Sequence, residues 1–207
     1  FQNSGQTHSR TLMQMAENLL KTCDLEPQDI DACAVADGPG SFTGVRIGVA
    51  AAKGFSWGRE IACYGVSTLE AMARGAAITD GVFCCCMDAR RAQVYNAVFE
   101  KTGSELVRLR EDRAISLEDL CEDLQNIEKT IFLVGDGAEL CYTTLLERLP
   151  QLTLLPEHLR QQRASGVALA AWEKIGRGEN GDAASLVPNY LRLSQAERAR
   201  LEKTKTE

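Results

Sequence analysis

Apolar and polar positions run along this chain in two rhythms, one of about 3.6 residues and one of two, and their order sets out an architecture. From His8 to Asp24, apolar residues recur at Leu12, Met15, Leu19 and Cys23, with a second stripe, Met13, Ala16 and Leu20, beside the first. That spacing predicts a helix with a wide apolar face, capped by Thr7 or Ser9. Pro27, Asp29 and Asp31 mark a connection, and Ala32 to Ala36 reads as a short buried strand. A second helix is predicted over Thr43 to Trp57, ending at Gly58. Ile61 to Gly65 is a strand, and Ser67 caps a helix from Thr68 to about Arg74.

Gly75 to Asp80 reads as a crossover. Val82 to Met87 is then a strand, and Gln93 to Glu100 with Glu105 to Arg113 form a hairpin turning at Thr102-Gly103. Ser116 with Asp119 starts a helix to about Gln125. Ile131 to Val134 is a strand, and Gly135-Asp136-Gly137 leads into a helix through Arg148. Leu152 to Leu155 is a short strand and Ala164 to Gly176 a helix, while the tail from Ser194 reads as a solvated, frayed helix. Strands alternating with helices imply an α/β protein, broken near Gly75 to Gly81 into residues 1–77 and 78–207, with the hairpin making the second sheet mixed.

One stretch is denser in information than the rest. The turn Gly38-Pro39-Gly40-Ser41-Phe42-Thr43 separates the strand at Ala32 from the second helix, and Ser41 or Thr43 can accept a hydrogen bond from that helix's unpaired amides. The helix shows Gly44, Gly48 and Ala52 four apart, extended by Phe55. Val45, Ile47, Val49, Ala50 and Ala51 fill its other faces, and Arg46 is the one charge in its first turns. A helix apolar all round must be covered on more than one side.

Gly38 to Gly48, then Gly65-Val66-Ser67-Thr68-Leu69-Glu70, then Asp88-Ala89-Arg90 with Tyr95, resemble the bacterial TsaB proteins, partners of the TsaD enzyme in making threonylcarbamoyladenosine beside the tRNA anticodon. Thr7-His8-Ser9 and, more loosely, Pro188-Asn189-Tyr190-Leu191-Arg192 fit as well. The resemblance implies the actin and sugar-kinase (ASKHA) fold, two related subdomains with mixed sheets flanked by helices. It also implies an N-terminal β-hairpin with an Asp-Thr-Ser-like turn, which Phe1 to Gln6 do not supply; trimming ahead of Phe1 is the expectation.

Composition narrows the chemistry. The 207 residues are 44% hydrophobic and 25% charged, with a formal net charge of -6, which argues against free-standing nucleic-acid binding. The eight cysteines form no CxxC pair, and consecutive Cys84, Cys85 and Cys86 on a strand must face alternately; they read as small buried hydrophobes of a reducing cytosol. No membrane-length apolar run occurs, so the cytoplasm is the expected compartment. The glycine turn lacks the Lys-Ser/Thr of a Walker loop and the third glycine of a dinucleotide fingerprint, and Ser41 does not sit in Gly-x-Ser-x-Gly. His8 and His158, the two histidines, lie in no triad spacing.

The resemblance extends to TsaD over Ile30 to about Ala73. Where TsaD carries a His-x-x-x-His metal pair, this chain aligns Thr68 and Met72, which implies a non-catalytic copy without metal or cofactor. The expectation is therefore a scaffold that binds a TsaD-like enzyme through Leu12, Met13, Met15, Ala16, Leu19 and Leu20 of the first helix. From the second helix it would use Gly44, Val45, Arg46, Gly48, Val49, Ala52 and Phe55, with Arg46 at the rim. A TsaE-like ATPase is the further expected partner, tRNA is reached only through the complex, and the isolated chain pairs with itself. The alternative is an ATP-binding, kinase-like or peptidase-like enzyme using the Gly38–Thr43 turn.

Overall fold

A computed structural model describes residues 8–59 and 61–192; Thr7 as a cap and the tail from Ser194 lie outside the described residues. In chain order the elements are α1 (His8–Thr22), a 3-10 turn (Pro27–Asp29), β1 (Ala32–Gly38), α2 (Phe42–Ser56), β2 (Ala62–Ser67), α3 (Thr68–Ala76), β3 (Gly81–Asp88), β4 (Gln93–Thr102) and β5 (Glu105–Ser116). There follow α4 (Leu117–Leu124), β6 (Ile131–Val134), α5 (Ala138–Leu145), β7 (Leu152–Leu154), α6 (Glu157–Arg160) and α7 (Ala164–Gly176). The periodicity missed the 3-10 turn and α6, each a single turn too short to show a repeat.

Two sheets result. β1 and β2 form a parallel pair, Ala32 opposite Ala62 and Val35 opposite Gly65. The second sheet runs β5-β4-β3-β6-β7. Its β3-β4 and β4-β5 pairs are antiparallel and its β3-β6 and β6-β7 pairs parallel, a mixed sheet. β1's outer edge has no strand beside it among the described residues.

Strand pleating sorts the consecutive cysteines. Cys84 and Cys86 join Leu120, Leu124, Cys141 and Leu145 under α4 and α5, while Cys85 faces Leu69, Met72 and Phe99 on the other side, where α3 packs. All eight cysteines are free thiols. α2 covers one face of the β1-β2 pair, where its Val49 and Ala52 cluster with Cys63 of β2 and with Leu186 from beyond α7. The other face packs Tyr64, Val66 and Ala71 against Ala170 and Ala171, so α7, from late in the chain, returns to the first sheet. α3 thus lies between the two sheets.

A chain of partly buried charges crosses the same junction. Arg74 bonds both Glu70 and Glu173, Arg108 pairs with Glu70 at 3.2 Å and with Asp112 at 2.5 Å, and Ser67 Oγ donates to Asp112 at 2.5 Å. It links α3, α7 and β5.

Candidate functional site

Three segments far apart in sequence converge on one cleft. β1 ends in the cis Gly38-Pro39 bond, and Gly38 sits at φ +136, where a Cβ would lie 2.2 Å from the Asn189 carbonyl oxygen. Only glycine fits that position, both for its left-handed backbone and for the contact. Ser41 then caps α2, accepting from the Gly44 amide at 3.4 Å, as the sequence predicts, whereas Thr43 already lies inside the helix.

The strap after α7 runs across this helix start. Asn189 N donates to Asp37 O at 2.7 Å, Lys53 Nζ donates to Ala184 O and Leu186 O at 3.1 and 3.0 Å, and Phe42 stacks on Tyr190 with ring centroids 4.6 Å apart. Its last described residue, Arg192, donates from Nη1 to Ala89 O at 2.8 Å, reaching the β3-β4 turn. The strap, the Gly38 turn and the β3-β4 turn enclose a cleft of about 400 Å³ lined by Ser41, Phe42, Asp88, Arg90, Tyr95 and Asp136 among others. Partial burial holds the Asp136 carboxyl above its ordinary range, Asp88 adding to the shift while amides of Asp88 and Gly137 oppose it.

The second feature is an apolar groove of about 350 Å³ between α1, β1 and α2. Leu12, Met13, Ala16, Leu19 and Leu20 line one side, Gly48, Ala51, Ala52 and Phe55 the other, with Ile30 and Ala32 to Val35 as its floor. Burial pushes the Cys33 thiol in that floor up to about 11, with Cys63 beside it, so the groove offers no thiolate nucleophile near neutral pH. Leu12, Met15 and Leu19 stay 39%, 40% and 64% exposed.

The residues of α2 expected to meet a partner differ in burial. Val49 and Ala52 are only 4% and 7% exposed and pack with Cys63 and Leu186, so both hold the helix to its own sheet, Ala52 at the base of the groove. Val45 packs partly against the same cluster. Arg46 is committed within the chain: its guanidinium lies 4.0 Å over the Phe42 ring, and Nε donates to Tyr190 Oη at 2.7 Å. A Cβ on Gly48 would meet Val35 Cγ2 at 3.4 Å, which turns that glycine toward β1. The face α2 leaves open is Thr43, Ala50, Gly54 and Trp57, the last 75% exposed. The sequence signal for Gly54 and Trp57 is weak, because α2 is apolar on nearly every side and its spacing does not mark which side meets the sheet.

Thr68 and Met72, the positions aligned with the TsaD metal pair, are buried in the first turns of α3. His158 is exposed on α6. Among the described residues no three His, Cys, Asp or Glu side chains come together in a way that could hold a metal ion, and no helix is long and apolar enough to cross a membrane.

Comparison with known proteins places this geometry. The sequence model of TsaD, tRNA N6-adenosine threonylcarbamoyltransferase, matches residues 2–200. The tRNA threonylcarbamoyladenosine biosynthesis protein TsaB of Bacillus subtilis is 34% identical over 199 residues, covering 96% of this chain and 85% of that protein. The chain belongs to the TsaB family. TsaB of Escherichia coli is 34% identical over 140 residues, 66% of this chain and 61% of that protein. Two solved structures from Pseudomonas aeruginosa, YeaZ and an uncharacterized protein with similarity to peptidase YeaZ, superpose with a TM-score of 0.73 at 24% identity, over 90% of this chain and 86% and 85% of theirs. They support the fold: mixed α/β of the actin and sugar-kinase class, helices flanking the sheets, as the sequence implied.

Proposed function

We propose that this chain acts in threonylcarbamoyladenosine formation on tRNA as a non-catalytic subunit, docking a TsaD-like enzyme through α1 and α2. The observations that carry the reading are the open apolar stripe Leu12, Met15 and Leu19 on α1 and the exposed small residues Ala50 and Gly54 on α2. Such a stripe costs solvation in water until another protein covers it. Gly54 supports the same reading. A Cβ there would meet nothing within 4 Å, so the monomer has no packing use for a residue that costs a helix interior about 1 kcal/mol relative to Ala. Close approach of a partner helix gives it one.

In this reading residues 1–77 form the docking subdomain and 78–207 the second, with α7 folding back onto the first sheet. A TsaE-like ATPase joins through the enzyme, tRNA is met only within the assembly, and two copies pair through the same stripe when the enzyme is missing. The compartment is the cytoplasm. Ser41 Oγ is engaged as the cap of α2, accepting from the Gly44 amide, and His158 is exposed on α6, which supports the non-catalytic reading.

Reconstituted transfer tests the role. A TsaD-like enzyme with ATP, a threonylcarbamoyl donor and tRNA should modify tRNA far faster with the chain than without it, and the chain with donor and tRNA alone should give none. Equal rates with and without the chain contradict the proposal, as does transfer by the chain alone.

A further inference from the structure

We propose that Cys33 and Cys63, with Ser56 beside them at the floor of the α1-α2 groove, form a binding site for a soft monovalent cation of the copper(I) class. The strands set the pair. Cys33 of β1 stands directly opposite Cys63 of β2, on parallel strands about 4.8 Å apart, so both thiols project to the same face. Both belong to the cluster that Val49 and Ala52 of α2 form over the sheet. Cys63 is 2% exposed, whereas Cys33 is only partly buried and opens onto the groove.

Ser56 is the independent observation. It follows Val49 and Ala52 at helical spacing on the buried side of α2, is 3% exposed, and its Oγ has no hydrogen-bond partner among the described residues. A buried hydroxyl left without a partner is costly and calls for an explanation. Burial and the Cys63 thiol hold the Cys33 thiol high, and the Ser56 hydroxyl pulls the other way, so the three side chains meet at one point. A soft cation entering through the groove displaces both thiol protons to solvent and forms two metal–sulfur bonds. The product carries one net negative charge, and the Ser56 O–H donates to it.

The donor set selects the ion. Soft thiolates favour copper(I), while structural zinc takes four ligands and calcium or magnesium takes oxygens. Among the described residues no group of three His, Cys, Asp or Glu side chains supplies a larger set. Access selects the thiols. Cys84 and Cys86, their sulfurs 3.5 Å apart, are sealed in the core at 0% exposure, and the Asn96 amide already donates to Cys84 Sγ at 3.3 Å. The site does not rest on the docking proposal, which uses the outer faces of α1 and α2.

The test titrates the whole reduced chain, under nitrogen, with copper(I) held by a chromogenic chelator, and follows amide chemical shifts in parallel. The parent should withdraw one copper(I) per chain, the amides of Cys33, Ser56 and Cys63 should move most, and x-ray absorption should count two sulfur neighbours. Cys33→Ala/Cys63→Ala should withdraw none. Ser56→Ala keeps both thiols and should bind about tenfold more weakly. Cys23→Ser, which removes the exposed thiol, should bind as the parent does. A parent that takes no copper(I) from the chelator overturns the proposal, as does binding retained in Cys33→Ala/Cys63→Ala. Shifts in the parent confined to Cys23, or to Cys84 and Cys86, overturn it too, and that reading stands even where the double variant fails to fold.

Discussion

Arg46 and Tyr190 meet across the chain: Nε of the one donates to Oη of the other at 2.7 Å, 144 residues apart in sequence. The contact ties the first turns of α2 to the strap that closes the cleft, and Phe42 completes it by stacking on Tyr190 under the Arg46 guanidinium. Arg46 stays exposed while it makes this contact, so the same residue ties the strap to α2 within the monomer.

Tyr190→Phe keeps the ring stack and removes the hydroxyl. The partly exposed bond should contribute about 0.5–1.5 kcal/mol, lowering the melting temperature by a few degrees while leaving partner binding intact. Differential scanning calorimetry checks the first point. A melting temperature equal to the parent's would mean that the bond does not hold the strap.

Asp37, at the end of β1, carries a carboxyl that burial pushes up to about 6 against the pull of Lys174, with Asp112 adding to the rise. A raised carboxylate pKa means that the folded state holds the proton more tightly than the unfolded chain does. This contribution is therefore fully favourable at low pH and fades as pH rises from about 4 through about 6. With partial solvent screening the effect is about 1–2 kcal/mol. Asp37→Asn should lose less stability than the parent between those pH values. Denaturant titrations at both ends of the window decide it, and parallel pH curves for the two proteins would contradict the assignment.

Glu70 works in the opposite sense. Burial raises its pKa, but the hydrogen bonds and charges of Arg74 and Arg108 prevail and hold it below the usual range. Its share of stability is present above the unfolded carboxylate pKa and is lost as pH falls through the lower folded value. Glu70→Ala takes one carboxylate partner from each of two partly buried guanidiniums, leaving Glu173 and Asp112, and should cost about 1–3 kcal/mol near neutral pH. Glu70→Gln, which retains hydrogen bonding, should cost less. Chemical denaturation of both variants measures the difference, and equal losses would show that packing, not pairing, matters there.

Sequence alone made most elements legible because their signals are local. The alternation of Cys84, Cys85 and Cys86 between two cores needs only a strand's pleat, and Ser41, Ser67 and Ser116 each cap the helix they were expected to cap. The open face of α2 was not legible. With apolar residues on every side, periodicity cannot say which side Cys63 and Leu186 will take, and they take Val49 and Ala52. The cleft was legible only as separate motifs, since Asn189 meeting Gly38 and Arg192 meeting Ala89 are long-range contacts without a sequence period.

The central claim is that α1 and α2 grip another subunit by their outer faces. It is tested most directly with the Ala50→Arg/Gly54→Arg variant, placed where the monomer leaves open space, by gel filtration with light scattering alongside a TsaD-like enzyme. The account predicts that the parent co-elutes with the enzyme and that the variant, melting within a few degrees of the parent, elutes apart from it. Co-elution of the variant at the parent's mass would contradict it.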